Sequence, residues 1–175
     1  MAADGAMPLE QTMCNRRFPP LFLIIAASCI FFCGSASAAP VFSAQVIKVV
    51  DGDSLEVVSS AGEKIKLRLW GIDAPESRQA YGKQAKLLLA AMVKGRRVEV
   101  QGKDIDLYQR LVALVWVDDT LVNEELVRQG AAWVYERFCR EHICHSWQRL
   151  EDDARRERRG LWARPKPVPP WQHRK

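Results

Sequence analysis

Three short stretches of the chain carry clustered charged residues where an apolar strand pattern stops. They are DGDS at residues 51–54, RLWGIDAPE at 68–76 and DLYQR at 106–110. Each alone has an ordinary structural interpretation, since Asp51-Gly52 is a common hairpin turn signal and DAPE is compatible with a capped turn. Together they supply two aspartates that can share a hard cation, a glutamate and two arginines. These residues are Asp53, Asp73, Glu76, Arg68 and Arg110.

This inventory suits the hydrolysis of a phosphodiester. A phosphodiester attacked by water gains negative charge on its equatorial oxygens, so its transition state needs fixed positive charge. Two guanidinium groups and a divalent metal ion supply that charge. Ca²⁺ accepts ligands from few carboxylates together with carbonyls and water, which suits Asp53 and Asp73. Glu76 is then left to hold or deprotonate a water molecule.

Hydrophobic periodicity predicts the elements that position these residues. Five aliphatic segments are bounded by turn residues, which is typical of strands. In the third, Ile65, Leu67 and Leu69 alternate with polar residues, so the aliphatic side chains face the core and Arg68 lies on the opposite face. The segment LVALVWV is continuously apolar, which indicates burial on both faces. The predicted strands are 42–50, 54–58, 63–70, 96–102 and 111–117.

Three helices are predicted from apolar residues spaced three and four apart. The first carries Tyr81, Ala85, Leu88 and Met92 and is closed by Gly95. The second runs from Thr120 to Gln129, with Asp119 or Thr120 as its cap and Gly130 as its stop, and the third runs from about His145 to Arg159. Five strands with helices late in the order, and no alternating strand–helix pattern, predict an α+β fold built on a small barrel.

The acidic and basic residues of the third helix have two interpretations. Glu151, Asp152 and Asp153 precede four arginines, an order that complements the helix dipole. A solvated, salt-bridged surface is favoured over a nucleic-acid contact, because the acidic residues dilute the basic stripe.

Length and charge agree with one basic domain. The chain has 175 residues, 48% of them hydrophobic, which is enough for one domain with its own core. The formal net charge of +5 lies in the body of the chain, because two basic and two acidic residues cancel within residues 1–38. Such a domain favours polyanions, either nucleic acid or an acidic membrane surface.

The N-terminal region has the pattern of an export signal. Two arginines precede an apolar run from Leu21 to Phe32, and small residues follow. That run is short for a membrane span of about 20 residues, and Ala36-Ser37-Ala38 fits a cleavage site. We predict a signal peptide over residues 1–38, cleavage near Ala38 or Ala39, and a secreted or periplasmic protein without stable membrane insertion. The alternative is an uncleaved segment that anchors the chain in a membrane.

Two further predictions concern the second half of the mature chain. Cys139 and Cys144 are the cysteines left after cleavage, which favours a disulfide in an oxidising compartment. Because His142 and His145 interleave with them, a zinc site is the alternative, although the spacing C-x2-H-x-C-H matches no standard zinc pattern. From Arg164 the sequence RPKPVPPWQHRK is proline-rich and basic, which predicts a disordered extension over 164–175 after a folded domain over 39–163.

Four motifs together resemble the staphylococcal-nuclease-like (thermonuclease) family. They are VIKVVDGDSLEV, LRLWGIDAPE, DLYQR and LVNEELVRQG in that order, and with the final GLW the resemblance covers about residues 44–162. Four linked motifs are far more specific than any one of them. The resemblance implies an OB-type five-stranded β-barrel with three helices, in agreement with the order of elements predicted above.

The resemblance also implies roles for the acidic residues. Asp53 and Asp73 match the residues that bind Ca²⁺, and the main-chain carbonyl of Ala74 matches a further ligand. Ala74 often corresponds to threonine in the family, a change that should matter little because the ligand there is a main-chain oxygen. Glu76 matches the residue that positions or deprotonates the attacking water.

The basic and aromatic residues are assigned in the same way. Arg68 and Arg110 match the arginines that grip the scissile phosphate and stabilise its developing charge. Tyr108 matches a position near the bound nucleotide, and Tyr135 matches another approximately. Gln109 departs from the family, which usually has glycine there. If that backbone requires a positive φ, glutamine costs about 1 kcal/mol or more and displaces Arg110.

The function implied by the resemblance is that of an exported, Ca²⁺-dependent nuclease. It would hydrolyse DNA and RNA with little sequence preference and leave 3′-phosphate ends, acting as a monomer without an obligate protein partner. One alternative is an OB-type nucleic-acid-binding module that has lost catalysis, although such modules typically lack several site residues that are present here. Another is a basic exported domain with structural carboxylates, which would need five suitable residues to fall into register by chance.

Overall fold

Five strands close into a small barrel in the computed structural model, which describes residues 41–174. The predicted signal peptide, residues 1–38, lies outside the described residues. The described residues form eight strands in all, the five of the barrel and three short ones: β1 (Val41–Val49), β2 (Ser54–Ser59), β3 (Lys64–Leu69), β4 (Ile72–Asp73), β5 (Arg97–Ile105), β6 (Leu111–Val117), β7 (Thr120–Leu121) and β8 (Trp133–Val134). In the barrel, β3, β2, β1, β5 and β6 are neighbours in that order, and pairing of β3 with β6 closes it.

Barrel closure depends on an irregular β1 and a parallel seam. The first half of β1 pairs with β5 and the second half with β2, and the register shifts between Val46 and Lys48, which lets the strand bend. β3 and β6 run parallel, with Leu67 opposite Leu111 and Arg68 opposite Val112. This seam therefore brings Arg68 close to Arg110, the residue that directly precedes β6.

Alternating aliphatic residues fill the barrel. Val57, Leu67, Val100 and Val115 have no exposed surface. Leu67 and Leu69 are buried while Arg68 is half-buried on the other face of β3, as the alternation predicts. The expected α+β fold, an OB-type five-stranded barrel with helices, is confirmed.

The helices lie close to their predicted positions. They are α1 (Gly82–Val93), α2 (Val122–Arg128), α3 (His142–Arg156) and the short α4 (Pro170–His173), with a 3-10 turn at Gly160–Ala163. α2 begins later than predicted, because Thr120 and Leu121 pair with β6 as β7. α3 begins three residues earlier than predicted, and it ends at Arg156 because Arg158 has φ +54°. Among the described residues, no helix is long and apolar enough to cross a membrane.

α3 buries more of its acidic face than the sequence indicates. Ion pairs such as Arg156 with Asp153 follow the helix surface as expected. Glu151, however, is buried, and its carboxylate accepts hydrogen bonds from the Val134 amide (2.9 Å) and from Arg155. It therefore ties α3 to β8 and is not a solvated residue.

A disulfide joins Cys139 and Cys144 just before and within the first turn of α3. A Cβ atom placed on Gly71 would lie 2.9 Å from the Cys139 Sγ, so the disulfide packs directly against the turn after β3. Because both sulfurs are bonded to each other, neither is available as a thiolate ligand for zinc.

The C-terminal residues pack against the domain, which differs from the predicted disordered extension. Pro170 is buried, and the Trp171 ring stacks on Tyr135 with a centroid distance of 5.1 Å and 3° between the planes. Trp171 also contacts Trp133 edge-on at 6.3 Å. Proline and charge dominate the composition of this segment, but composition does not show that its indole meets an aromatic surface of the domain.

Candidate active site

Two buried carboxylates meet at one guanidinium group. Asp53 directly precedes β2 and Asp73 ends β4, and their side chains are 2% and 0% exposed. Arg68 lies between them, donating one hydrogen bond to Asp53 Oδ1 and another from Nη2 to Asp73 Oδ1 at 2.6 Å. Residues from three separate strand ends therefore form one charged cluster.

Main-chain and side-chain donors complete the surroundings of Asp53. Its Oδ2 accepts a hydrogen bond from the Ala74 amide at 2.7 Å, and its Oδ1 accepts one from Ser54 Oγ at 3.1 Å. Burial raises the pKa of Asp53 to about 7, against the opposing effect of the Arg68 cation. Burial alone would lower the pKa of Arg68, but the two aspartates raise it above its ordinary value. The cluster thus needs positive charge close to both carboxylates.

Asn123 fixes the turn that carries Asp73. Its Nδ2 donates to the carbonyls of Trp70 (3.0 Å) and Ala113 (3.2 Å), and its Oδ1 accepts from the Val115 amide (3.1 Å). The residue is fully buried, so α2, β6 and the turn after β3 are held together by one amide. Sequence reasoning missed this positioning residue; the available signal was an amide on the apolar face of α2.

Glu76 lies on the loop between β4 and α1, at the edge of the cluster. Its side chain is 36% exposed, and its amide donates to Gln79 Oε1 at 3.1 Å. The start of α1 approaches this loop so closely that a Cβ on Gly82 would lie 1.9 Å from the Glu76 carbonyl oxygen. Gly82, which the sequence analysis did not single out, is therefore required for the position of Glu76.

Arg110 is anchored in the loop between β5 and β6. Its Nε donates to Asp106 Oδ2 at 2.7 Å, its amide donates to Asp106 Oδ1 at 3.0 Å, and its Nη1 reaches Ser54 Oγ at 3.4 Å. Burial raises the pKa of Asp106, but the hydrogen bonds from Arg110 and from the Tyr108 amide outweigh it and lower that pKa below its usual value. Asp106 is a positioning residue that belonged to the DLYQR motif but was not predicted as part of the site.

The two tyrosines lie in different surroundings. Tyr108 is 78% exposed beside Arg110, whose Cζ lies 5.4 Å from the tyrosine ring centroid. Tyr135 lies next to the Gly71 turn, where its amide donates to the Gly71 carbonyl at 2.9 Å, and its ring is covered by Trp171. The ring of Tyr108 is therefore accessible to a ligand, whereas one face of the Tyr135 ring is already covered by Trp171.

A second guanidinium group, that of Arg174, completes the cluster. Its Nη2 donates to Asp73 Oδ2 at 2.6 Å and its Nη1 to Glu76 Oε1 at 2.5 Å, with a longer contact from Nη1 to Asp73 Oδ1 at 3.3 Å. No local sequence signal pointed to this residue, because its partners are about 100 positions away and nothing in the tail pattern specifies them.

The donor set fits a hard divalent cation. Within residues 41–174, no three His, Cys, Asp or Glu side chains gather at one point. Asp53 and Asp73 nevertheless offer oxygens at one buried place, where they already attract cationic groups. Ca²⁺ takes oxygen ligands readily and accepts main-chain carbonyls and water for the remainder.

Gln109 adopts the left-handed conformation, with φ +60°. Arg110 nevertheless keeps its hydrogen bonds to Asp106, so Gln109 does not displace it. The strain of the positive φ at Gln109 should therefore lower the stability of the fold and leave the site in place. Gln109→Gly should raise the free energy of unfolding by about 0.5–1 kcal/mol in urea titrations, because glycine adopts positive φ without strain. As a control, Gln84→Gly at an exposed position of α1 should lower it by a similar amount, about 0.5–1 kcal/mol. A loss of stability in both variants would contradict the assignment of strain to Gln109.

Fold and site define a class, an OB-type barrel domain with a cluster of largely buried carboxylates and arginines where the strand ends meet. The family model described as staphylococcal nuclease homologue matches residues 66–164. A protein of Escherichia coli named as an uncharacterized endonuclease is 40% identical over 134 residues, which cover 75% of this chain and 85% of that protein. A protein of the same name from Haemophilus influenzae is 34% identical over 163 residues, covering 93% and 88% of the two chains.

A third relative, named micrococcal nuclease, comes from Shigella flexneri. It is 33% identical over 143 residues, which cover 77% of this chain and 81% of the relative. The protein therefore belongs to the staphylococcal nuclease family, as the four sequence motifs predict.

Proposed function

We propose that the protein is a Ca²⁺-dependent nuclease that hydrolyses phosphodiester bonds of DNA and RNA and leaves 3′-phosphate ends. The observation that carries the proposal is the meeting of Asp53, Asp73 and Arg68 at one buried point, with Arg110 close by through Ser54. Membership of the staphylococcal nuclease family, with relatives named endonuclease and micrococcal nuclease, supports it.

Asp53 and Asp73 would hold the metal ion, with the main-chain carbonyl of Ala74 and water as further ligands. When bound, the ion supplies positive charge that polarises the phosphate. These residues suit a metal ion because both carboxylates are buried, and a buried anion requires a cation or strong hydrogen bonds to remain charged.

The remaining roles belong to side chains of the chain itself. Glu76, partly exposed at the rim, would hold the attacking water and accept its proton on a carboxylate oxygen. Arg68 and Arg110 would donate N–H groups to the non-bridging phosphate oxygens, where charge develops in the transition state. Arg110 is already oriented by Asp106, so it needs little reorganisation to do so.

Little sequence preference follows from the same geometry. Arginines recognise phosphate, and tyrosine rings such as Tyr108 stack on any base, so neither contact reads the hydrogen-bonding edges of the bases. The net charge of +5 favours polyanions of any sequence. DNA and RNA are therefore both included as substrates.

The exported location and the monomeric state belong to the same proposal. The disulfide between Cys139 and Cys144 supports an oxidising compartment, such as the periplasm or the extracellular space. Sequencing the N-terminus of the protein recovered from its native host tests this part, since a chain that begins near Ala39 is expected.

The test of activity compares Ca²⁺ with chelator. Fluorescent single-stranded DNA and RNA should be cut in Ca²⁺ and remain intact in excess chelator, and a phosphatase should release phosphate from the 3′ ends of the products. Asp53→Asn should abolish the Ca²⁺-dependent cleavage, because it removes a charged metal ligand. Asp104→Asn, a change of the same kind at an exposed position of β5, serves as the matched control and should retain activity.

Two outcomes would count against the proposal. Tight binding of the oligonucleotide without cleavage, in Ca²⁺ as in chelator, would instead identify a binding module that has lost catalysis. Equal cleavage in the presence and absence of chelator would rule out the metal dependence.

A further inference from the structure

A segment that follows the barrel domain, residues 165–174, reaches the proposed active site. We call residues 165–174 the C-terminal strap. The strap is attached at three points: the Val168 carbonyl accepts a hydrogen bond from Gln79 Nε2, Pro170 is buried, and Trp171 stacks on Tyr135. The one-turn α4 then directs Arg174 towards the carboxylate cluster. These attachments are spread over the segment, so its position does not depend on one ion pair.

Arg174 occupies the oxygens on which the proposed chemistry depends. Its Nη2 donates a hydrogen bond to Asp73 Oδ2 at 2.6 Å, and its Nη1 donates one to Glu76 Oε1 at 2.5 Å. The other carboxylate oxygen of Asp73, Oδ1, accepts a hydrogen bond from Arg68 Nη2 at 2.6 Å. A metal ligand and a water-binding carboxylate are thus both bound to a cation supplied by the chain itself, so a divalent ion has to displace Arg174 from Asp73.

Trp171 occupies an aromatic surface in a comparable way. Its ring is nearly parallel to that of Tyr135, with 3° between the planes and 5.1 Å between the centroids, so it covers a face on which a nucleobase could stack. The family resemblance matches Tyr135 approximately to a second position near the nucleotide, besides that of Tyr108. The strap therefore places an indole on the proposed stacking surface and a guanidinium on the proposed metal and water site, three residues apart.

We propose that the C-terminal strap is an autoinhibitory element that competes with both the divalent cation and nucleic acid for the active site. The inference rests on the proposed nuclease function, since it assigns ligands to the surfaces that the strap covers. The Arg174 side chain is 41% exposed while its partner Asp73 is fully buried, so Arg174 can return to solvent only when another cation takes its place at Asp73. Cation and nucleic acid together would shift the population towards the released strap.

The first test measures Ca²⁺ affinity in the full chain by isothermal titration calorimetry. Arg174→Gln should bind Ca²⁺ about fivefold more tightly than the wild type, because the fraction of chains with a free site increases. Arg164→Gln removes the same charge from an exposed position just before the strap and should leave the affinity unchanged. Equal affinities in all three proteins would overturn the proposal.

A second test uses an oligothymidylate with phosphorothioate linkages, which resists hydrolysis. Arg174→Gln loses a positive charge, so electrostatics alone would weaken binding of the oligonucleotide. Competition predicts the opposite, a gain of about fivefold, together with a gain for Trp171→Ala, which uncovers Tyr135. Binding weakened in both variants would mean that Arg174 and Trp171 are part of the nucleic-acid surface, and would overturn the autoinhibitory role.

The position of the strap can be followed directly by nuclear magnetic resonance. Trp171→Phe assigns the indole N–H signal of Trp171 in the ¹⁵N-labelled protein. On addition of Ca²⁺ and the oligonucleotide, that signal should move to the position of a free tryptophan peptide. A signal that stays in place while both ligands bind would show that the strap is not displaced.

The outcomes separate this inference from the proposed nuclease activity. If no protein cleaves DNA but Arg174→Gln binds Ca²⁺ more tightly, the nuclease proposal fails and the competition by the strap stands. If the wild type cleaves DNA, and Arg174→Gln matches it in kcat, KM and Ca²⁺ affinity, the nuclease stands and the strap has no inhibitory role.

Discussion

Arg110→Ala should lower kcat for single-stranded DNA by about 100-fold or more. Arg110 reaches the carboxylate cluster through Ser54 and is held by two hydrogen bonds to Asp106, so its guanidinium is fixed where charge would develop on the phosphate. Alanine removes this charge without leaving a fully buried group unpaired, because the side chain of its partner Asp106 is 21% exposed. Steady-state kinetics in saturating Ca²⁺ measure the effect.

Arg137→Ala provides a matched control for this variant. Arg137 is exposed and, like Arg110, lies 5.4 Å from a neighbouring aromatic ring, that of Phe138, but among the described residues it forms no hydrogen bond or ion pair with the carboxylate cluster. Its replacement should leave kcat unchanged. If Arg110→Ala instead raised KM about tenfold with kcat intact, the residue would contribute uniform binding and no stabilisation specific to the transition state.

Features of the fold that follow from the local periodicity of the sequence were predictable. Period-two alternation in β3 fixed which face carries Leu67 and which carries Arg68, because one strand can bury only one of its faces in a small barrel. The charged stretches at strand ends pointed to the same cluster, because the ends of β2, β3 and β4 meet at one place. Family motifs then related these stretches to one another and to the loop that carries Arg110.

Features that depend on one long-range contact could not be predicted. Asn123 reads as an ordinary helix residue until β6 and the Trp70 turn are placed around its amide. Glu151 belongs to a run of acidic residues, and only the approach of β8 distinguishes it from its exposed neighbours. In both cases the amino-acid type permits exposure and burial alike, and tertiary packing decides between them.

The tail shows the same limit more strongly. Its composition is typical of a disordered segment, because prolines and basic residues are numerous in it. Composition gives no weight to the position of its single tryptophan. The position of the strap depends instead on specific contacts with distant parts of the chain, among them Trp171 with Tyr135 and Arg174 with Asp73. Such a segment is suited to competition with ligands, because it can open locally while the barrel stays folded.

The charge balance of the cluster connects stability with the proposed activity. Asp53 and Asp73 are buried in the same place, and like charges that close together destabilise a folded protein unless a cation lies between them. Arg68 supplies that cation in the folded chain. The proposed metal ion would supply it as well, so Arg68 has a structural role in addition to the catalytic role proposed for it.

Arg68→Ala should therefore lower the free energy of unfolding by about 3–5 kcal/mol in chelator, because it removes the guanidinium that both buried carboxylates share and leaves Arg174 to pair with Asp73. Ca²⁺ should restore much of this loss, and it should stabilise the variant more than the wild type, whose carboxylates are already paired. Urea unfolding at neutral pH, with and without Ca²⁺, measures both effects. Arg97→Ala, at an exposed position of β5, should change stability by less than about 0.5 kcal/mol in either condition. A variant that loses stability equally with and without Ca²⁺ would show that the metal ion and the guanidinium do not serve the same carboxylates.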